Sequence, residues 1–493
     1  MSRPFGTFMR SKASQIGLIC VGVVLGVMVS LNFSAVAQRE APSPLPIEDL
    51  RVFTEVFARI KSDYVEPVED RKLFNQAING MLSGLDPHSS YLDQEAFKEL
   101  QVGTQGEFGG LGIEVGMEDG LVRVVSPIDD TPASRAGLRP GDLIIRLDDT
   151  PVKGMALNDA VRRMRGKPNT PITLTLIRRG EDKPVVVTLV RAVIKIQSVR
   201  STVMEPGYGY IRLTQFQERT GENLAAAIER VWKENNGAMR GLILDLRNDP
   251  GGLLNGAVAV SAAFLPANAL VVYTDGRAPD SRMKLNASPE FYLRGATQTD
   301  YLRNLPKDVK SVPLVVLING GSASASEIVA GALQDHKRAT IIGTQSFGKG
   351  SVQTILPLTN NTAIKLTTAR YFTPSGRSIQ AKGITPDVVV EDPSNPSDNQ
   401  RVREADLDRH LSDGKGGGAK QGGKPRVEQK KDEPARPRVE PIRLEPGQVF
   451  SKEDFQLMQA LNHLKGQPVL RDLPVRADAA GTAAASTAAA PAR

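Results

Sequence analysis

Cysteine is nearly absent from this chain, which limits the covalent structure that it can form. Cys20 is the only cysteine among 493 residues, so no disulfide can form within the chain. A large excess of one charge is absent as well, because the formal net charge is only +7, too small to indicate a nucleic-acid partner. The hydrophobic fraction of 40% is ordinary for a globular protein. The length allows about two to four domains.

The first 37 residues have the pattern of an export signal. Positively charged residues precede a long apolar stretch, and residues 35–37 match an A-x-A cleavage site. The pattern predicts a secretory signal over residues 1–37. An uncleaved membrane anchor is the alternative, because the apolar stretch approaches the length that spans a bilayer. Both alternatives place the bulk of the chain in the periplasm or cell envelope, and cleavage would remove Cys20.

Periodicity and composition divide the rest of the chain. Residues 45–102 have apolar residues at helical spacing and predict a helical segment that serves as a cap or an oligomerisation arm. Residues 393–442 are rich in charged residues, glycine and proline, and predict a disordered linker. Within residues 443–475, a short helix at 452–465 is predicted to dock on the body or on a second subunit. The Ala-rich tail, 476–493, is predicted to be disordered.

A glycine-rich loop opens the second region, residues 103–195. Residues 107–115, EFGGLGIEV, precede several short strand-like runs and one helix candidate. Such a loop can expose N–H groups that capture a C-terminal carboxylate while the peptide adds a strand to a sheet edge. The pattern favours a peptide-binding module, although glycines also serve in ordinary tight turns.

Strands alternate with helices in residues 196–392, which predicts an α/β core. The apolar strand 242–246 is followed by RNDPGG and then by an apolar helix. Two interpretations of Gly251 and Gly252 remain open. They form a tight connection, or their N–H groups face a reacting serine as oxyanion donors.

Three serines spaced two apart follow the next buried strand, in the sequence NGGSASASEI. Ser324 and Glu327 form a capping box ahead of a helical pattern, and most such serines only cap helices. A helix N-terminus also favours developing negative charge, so capping and catalysis are compatible. These considerations do not choose among Ser322, Ser324 and Ser326.

The predicted lengths bring a lysine back to the serines. The helix after Ser324 rises roughly 18 Å, and a return strand of about six residues covers nearly the same distance. Lys349 is therefore a predicted neighbour of Ser324, whereas His336 lies at the far end of the helix. A Ser–Lys pair is favoured over a Ser–His pair. To act as a base, Lys349 must be neutral, which requires burial to lower its pKa by roughly 3 units.

Residues 343–350, GTQSFGKG, nearly match a phosphate-binding loop. Gly350 stands where a magnesium-binding hydroxyl is required, and a strand-like sequence follows where that motif needs a helix. Nucleotide binding is therefore disfavoured.

Four motifs in order, NGGSASASEI, FGKGSVQ, YFTPSGRSIQ and GITPDVVV, together with the glycine-rich module, resemble the C-terminal processing peptidases, also called tail-specific proteases. The resemblance covers about residues 45–392 and the short helix near 455. It implies an α/β fold with a crotonase/ClpP-like protease core and an inserted PDZ domain at 103–195. It also implies a serine endopeptidase of the cell envelope that needs no cofactor and no metal.

The resemblance assigns roles to the core residues. Ser324 corresponds to the nucleophile, Lys349 to the general base and Gln353 to the residue that supports the lysine. Four residues along a straight strand span about 13 Å, so the backbone must bend near Gly348 or Gly350 for Gln353 to touch Lys349.

The remaining assignments concern the oxyanion and the substrate. The oxyanion donors would be the N–H groups of Ala325 and of Gly251 or Gly252. Leu111, Gly112 and Ile113 would hold the substrate's C-terminus, and Arg165 matches an arginine that links peptide binding to activation.

The implied partners are proteins or peptides bound through their C-termini, a second copy of the chain, and a membrane contacted by the N-terminal segment. Participation of an adaptor is left open, and no nucleic acid is expected. The alternative from another class is a catalytically silent PDZ scaffold in the envelope.

Overall fold

The computed structural model describes residues 45–128, 130–294, 299–393, 401–413 and 448–471. The predicted export signal, much of the predicted linker and all of the Ala-rich tail lie outside the described residues. The chain divides into two compact units, Met1–Gln76 and Ala77–Arg493. In the described ranges, no helix is both long and apolar enough to cross a bilayer.

The helices in the described ranges are α1 Ile47–Asp63, α2 Asp70–Ser83, α3 Gln94–Gln105, α4 Pro132–Arg135, α5 Leu157–Met164, α6 Thr220–Glu234, α7 Leu254–Phe264, α8 Pro289–Tyr292, α9 Ala325–Asp335 and α10 Phe455–Leu464. The strands are β1 Ser90–Leu92, β2 Glu107–Gly110, β3 Ile113–Glu118, β4 Leu121–Pro127, β5 Leu143–Leu147, β6 Thr150–Pro151, β7 Pro171–Ile177, β8 Val185–Val190, β9 Ala192–Lys195, β10 Val199–Glu205, β11 Tyr208–Leu213, β12 Gly241–Asp245, β13 Leu270–Asp275, β14 Lys284–Asn286, β15 Leu314–Ile318, β16 Thr340–Gly343, β17 Ser351–Pro357, β18 Ala363–Phe372 and β19 Val388–Val389.

The N-terminal segment is helical, as predicted, and it also contributes a strand that was not predicted. None of the residues of α1 is buried, and the rings of Phe57 and Phe74 stack with centroids 4.8 Å apart. Further along, β1 pairs antiparallel with β18, with Ser90 opposite Lys365. The structure thus adds a three-residue strand to the helical segment predicted over 45–102.

The inserted region is joined to the core by a two-stranded ribbon, because β2 and β9 pair antiparallel at its two ends. Between them lies an antiparallel sheet with the strand order β3-β4-β5-β7-β8, and β6 is attached to β5. Ile172, Leu174 and Leu176 of β7 are buried while their neighbours are more exposed. This alternation confirms the strand predicted there. Strand β3 lies at an edge of the described sheet.

A six-stranded sheet with the order β10-β11-β12-β15-β16-β19 forms the centre of the core. The pairs from β11 to β19 are parallel. Every residue of β12 and β15 is buried, as expected for parallel strands covered on both faces. Helices α6, α7 and α9 pack on one face. Helix α10 packs on the other through Leu457, Ala460 and Leu461, which confirms docking on the body.

A second sheet has the order β1-β18-β13-β14, and β17 also pairs with β18. Strand β17 follows the lysine loop directly, which confirms the predicted strand where a phosphate-binding loop would need a helix. The pairing of β17 with β18 shifts register between Val352 and Gln353.

Residues 401–413, here called the strap, fold onto the core. They include a 3-10 turn at Glu404–Asp406, and Glu404 is fully buried. The prediction of disorder over 393–442 is wrong for these residues. A composition with many charged and few apolar residues predicts a solvated segment. It does not reveal that the carboxylate of Glu404 is buried in the core.

Candidate active site

Ser324 occupies an unusual backbone conformation between β15 and α9. Its dihedral angles are φ 55° and ψ −111°, a region that costs a non-glycine residue about 1–3 kcal/mol. Its relative exposure is 9%. Strained residues of this kind cluster at sites where the surrounding structure fixes a reactive group.

The three serines differ in what their hydroxyl groups bind. The Ser322 hydroxyl donates to the carbonyl of Leu246 at 2.8 Å, and the Ser326 hydroxyl donates to the carbonyl of Asp249 at 3.0 Å. In the part of the chain that the structure describes, the Ser324 hydroxyl donates to no acceptor. Two of the serines thus fix the neighbouring loop, and Ser324 alone keeps a hydroxyl proton available.

Glu327 joins the start of α9 to the loop that carries the lysine. Its carboxylate accepts hydrogen bonds from the N–H of Ser324 at 2.8 Å, the hydroxyl of Ser346 at 2.6 Å, and the N–H groups of Gly348 and Lys349 at 2.7 and 2.9 Å. The bond to Ser324 confirms the carboxylate half of the predicted capping box. The three bonds to the lysine loop were not predicted, because their partners are about 20 residues away.

Glu327 is fully buried, and burial raises its pKa to about 7. The four hydrogen bonds act in the opposite direction because they favour the ionised form. Together they use the four lone-pair directions of a carboxylate, so protonation would displace one of the donors.

The chain returns to the serines as the predicted lengths require. The N–H of Phe347 donates to the carbonyl of Ser322 at 3.0 Å. His336 lies at the far end of α9, where its ring pairs with the carbonyl of Leu270 at 2.7 Å. Both observations confirm the geometric expectation that favoured a lysine over a histidine next to Ser324.

The surroundings of Lys349 favour its neutral form. Burial lowers the pKa of Lys349, and the positive charge of Lys365 acts in the same direction. Glu404, Glu327 and Asp86 oppose this effect. The direction of the shift is the one that a lysine base needs.

Gln353 lies near the lysine loop but is turned toward other partners. Its Nε2 donates to the hydroxyls of Ser351 at 2.9 Å and Thr367 at 3.3 Å. Gly348 has φ +100°, a backbone conformation that disfavours other residues. Among the described residues, however, no hydrogen bond joins Lys349 to Gln353 or to the Ser324 hydroxyl. Catalytic hydrogen bonds often tighten only in the substrate complex.

The glycine turn lies against the start of α9. A Cβ on Gly251 would lie 2.8 Å from the nitrogen of Ala325 and 2.9 Å from the Cβ of Ser324. The N–H of Gly251 already donates to Oδ1 of Asp249 at 2.8 Å. No acceptor for the N–H groups of Gly252 and Ala325 is present among the described residues. The geometry therefore favours Gly252 over Gly251 as the partner of Ala325.

The predicted peptide-binding loop leaves its donors available. The carbonyls of Leu111 and Gly112 accept from Ala133 at 3.0 Å and Ile128 at 2.8 Å. In the described ranges, the N–H groups of Leu111 and Gly112 have no acceptor. Ile113 begins the edge strand β3, so an added peptide strand could continue the sheet.

Arg165 directly follows α5 and contacts strand β2 of the two-stranded ribbon that joins the inserted region to the core. Its guanidinium lies 4.6 Å from the centre of the Phe108 ring, a cation–π distance. Phe108 belongs to β2, which enters the insert from the core. The predicted regulatory position is thus in contact with the connection between the two regions.

The strap reaches the residue next to the lysine. Glu404 contacts the ring Nε2 of His88 at 2.8 Å and accepts from Nε2 of Gln380 at 2.8 Å. Oε1 of Gln380 in turn accepts from the N–H of Gly350 at 3.0 Å. The sequence pattern does not reveal the link between His88 and Glu404. No local pattern marks a contact between residues more than 300 positions apart.

Comparisons with known proteins agree with this arrangement. Residues 207–390 match peptidase family S41, residues 109–189 match a PDZ domain, and residues 27–96 match the N-terminal domain of the activating protease CtpB. The carboxy-terminal-processing protease of Bartonella bacilliformis is 50% identical over 373 residues, which cover 75% of this chain and 82% of the relative. The chain belongs to peptidase family S41, the carboxy-terminal processing proteases.

Other relatives are more distant. The carboxy-terminal processing protease CtpA of Bacillus subtilis is 35% identical over 374 residues, covering 76% of this chain and 75% of the relative. The solved structure of a photosystem II D1 C-terminal processing protease is 31% identical and covers 69% of this chain and 86% of its own, with a TM-score of 0.39. This S41 chain is a serine protease with a PDZ domain, and its relatives disfavour the silent scaffold.

Proposed function

We propose that this protease is an endopeptidase of the cell envelope in which Ser324 is the nucleophile and Lys349 is the general base. One observation carries the assignment of the pair. A single buried carboxylate, that of Glu327, binds the backbone N–H groups of both residues. Because it holds the two ends of the pair at once, their separation is set before substrate arrives.

The proposed reaction is acyl transfer followed by hydrolysis. Neutral Lys349 takes the proton of the Ser324 hydroxyl, and Oγ attacks the carbonyl carbon of the scissile bond. The N–H groups of Ala325 and Gly252 stabilise the negative oxygen of the tetrahedral intermediate. When the C–N bond breaks, the lysine ammonium gives its proton to the leaving amine. Water, activated by Lys349, then hydrolyses the acyl-enzyme, and Gln353 supports the lysine.

The insert is proposed to deliver the substrate. The free N–H groups of Leu111 and Gly112 would receive the terminal carboxylate while the substrate adds a strand to β3. Arg165 would relay this binding through Phe108 and the ribbon to the core. Self-association and membrane contact are proposed for the N-terminal segment.

Ser324→Ala and Lys349→Ala test the reaction on an unstructured protein with an apolar C-terminus. Each variant should lower kcat/KM at least about 1,000-fold, while peptide binding to the insert survives. Ser311→Ala and Lys307→Ala change exposed residues and serve as matched controls with normal activity. Persistent cleavage by purified Ser324→Ala would refute the assignment.

Amidation of the substrate's C-terminus tests delivery separately. If Leu111 and Gly112 bind the carboxylate, the amidated substrate should have a higher KM and a lower kcat/KM than the free acid. Equal rates for the two substrates would show that Leu111 and Gly112 do not bind the terminal carboxylate. This result would not contradict the proposed Ser–Lys reaction.

A further inference from the structure

Asp249 lies in the loop between β12 and α7, where its backbone holds the serine loop. Its carbonyl oxygen accepts hydrogen bonds from the N–H of Ala323 and from the hydroxyl of Ser326, both at 3.0 Å. Its side chain is fully buried, and Oδ1 accepts from the N–H of Gly251 at 2.8 Å. Both the backbone and the side chain of Asp249 therefore fix groups around Ser324.

The second carboxyl oxygen of Asp249 lacks a partner in the part of the chain that the structure describes. Oδ2 is buried and makes no hydrogen bond within the described residues. A buried charge is costly unless it is paired and hydrogen-bonded, so such a group tends to become neutral. Consistent with this, burial raises the pKa of Asp249 to about 7.

Two charged residues act on Asp249 from the adjoining strands. Arg212 on β11 favours the ionised form, whereas Asp245 at the end of β12 disfavours it. Asp245 is itself paired with Arg247 at 2.7 Å, which reduces its influence. The balance leaves a carboxyl that can change its charge near neutral pH.

The hydrogen-bond partner of this carboxyl, Gly251, directly precedes the proposed oxyanion donor Gly252. Gly251 packs directly against the nitrogen of Ala325 and the Cβ of Ser324, as the distances of 2.8 and 2.9 Å to a Cβ placed on Gly251 show. A negative charge on Asp249 would repel the negative oxygen that forms there. A neutral carboxyl would keep its bond to Gly251 without that repulsion.

We propose that Asp249 is a positioning residue that orients the glycine turn and permits the oxyanion to form only while its carboxyl is uncharged. The inference rests on the proposed function, in which Ala325 and Gly252 donate to the oxyanion. Cleavage should rise with pH as Lys349 loses its proton and should then fall as Asp249 ionises. The two groups would give the two limbs of a bell-shaped profile.

Asp249→Asn tests the alkaline limb, because the amide oxygen still accepts from Gly251 and the side chain cannot ionise. The measurement is kcat/KM for wild type and variant from about pH 5 to about pH 9. The ratio of variant to wild type should stay near one at the acid end and rise at least about ten-fold at the alkaline end. A ratio that does not change with pH would overturn the proposal.

Asp249→Ala separates positioning from charge. It removes the acceptor of the Gly251 N–H, so kcat should fall at every pH and the alkaline limb should disappear. If Asp249→Ala matched Asp249→Asn in kcat, the positioning role would be refuted. Asp308→Asn changes an exposed carboxylate and should leave the profile of the wild type intact.

Infrared spectroscopy of an inactive variant tests the protonation of Asp249 independently of the proposed cleavage reaction. In the Ser324→Ala protein, infrared spectra should show a protonated-carboxyl band that disappears as the pH rises through about 7. Part of this band should be missing when Asp249→Asn is added. Identical spectra would overturn the protonation of Asp249. A wild-type protein that shows the band but cleaves nothing would refute the proposed function instead.

Discussion

The two walls around Ser324 differ in how completely their buried carboxyl groups are hydrogen-bonded. The dyad wall consists of the start of α9, residues 346–350 and the strap. In it, Glu327 binds four donors, and Glu404 binds His88 and Gln380. The oxyanion wall consists of residues 248–252. Its buried carboxyl, Asp249, leaves one oxygen without a partner in the described residues.

This difference suggests a division of tasks. Fully paired buried networks are rigid and specify one arrangement, which suits the separation of a nucleophile from its base. Burial raises the pKa of both Glu327 and Asp249 to about 7, but only Asp249 would ionise with one oxygen that lacks a donor among the described residues. The comparison implies that changes at Glu327 mainly disturb geometry, whereas changes at Asp249 mainly disturb charge.

Glu327→Gln should give the largest effect. Glutamine accepts through one oxygen and presents an NH2 group to the other donors, so about half of the four hydrogen bonds are lost. We expect kcat/KM to fall at least about 100-fold. The free energy of unfolding should fall by about 2–4 kcal/mol. Urea unfolding and steady-state kinetics measure both quantities, and Glu229→Gln on the exposed face of α6 is the control. Normal activity with lowered stability would show that Glu327 serves the fold alone.

Glu404→Gln should have an intermediate effect that appears in the pH profile. The negative charge of Glu404 raises the pKa of Lys349, so its removal should lower that pKa further. The rising limb of the kcat/KM profile should move to lower pH by up to about one unit. Asp408→Asn removes an exposed charge from the same strap and should not move the limb. If the rising limb of the kcat/KM profile of Glu404→Gln lies at the same pH as that of the wild type, Glu404 does not influence the pKa of Lys349.

Asp249 should also make the free energy of unfolding depend on pH, which is the next largest effect. The pKa of Asp249 is raised from 3.8 to about 7 in the folded state, so the folded state binds the proton more tightly than the unfolded state. Its contribution to stability is present at low pH and is lost as the pH rises toward 7. The unfolding free energy of wild type should therefore drop relative to Asp249→Asn by about 1.4 kcal/mol per pH unit between these values. Parallel curves in urea unfolding would contradict the raised pKa.

Ser326→Ala should give the smallest effect. It removes one hydroxyl bond to the carbonyl of Asp249, while the N–H of Ala323 still donates to that oxygen. We expect a loss of about 1 kcal/mol in unfolding free energy and a change in kcat/KM of less than about ten-fold. A loss of activity as large as that of Ser324→Ala would show that the assignment of the nucleophile is wrong.

Much of the site follows from local patterns. The strand, helix and strand around Ser324 have lengths that bring the lysine loop back to the serines, and the contact of Phe347 with Ser322 confirms this. The capping box identified Glu327, but only as a partner of Ser324. Its bonds to Gly348 and Lys349 depend on a loop whose path the periodicity does not specify. The direction of Gln353 depends on the register shift at Val352, which is a property of the paired strands.

The sequence by itself determined the division into a peptide-binding insert and an α/β core, the family, and the serine and lysine that are proposed to react. These features depend on local periodicity and on motifs with fixed spacing. Only the tertiary structure decided that Glu404 of the strap is buried against His88 and Gln380, and that Asp249 is buried with one oxygen unpaired among the described residues. Burial and pairing are set by residues far apart in the chain, and they determine which carboxyl groups are fully hydrogen-bonded and which are not.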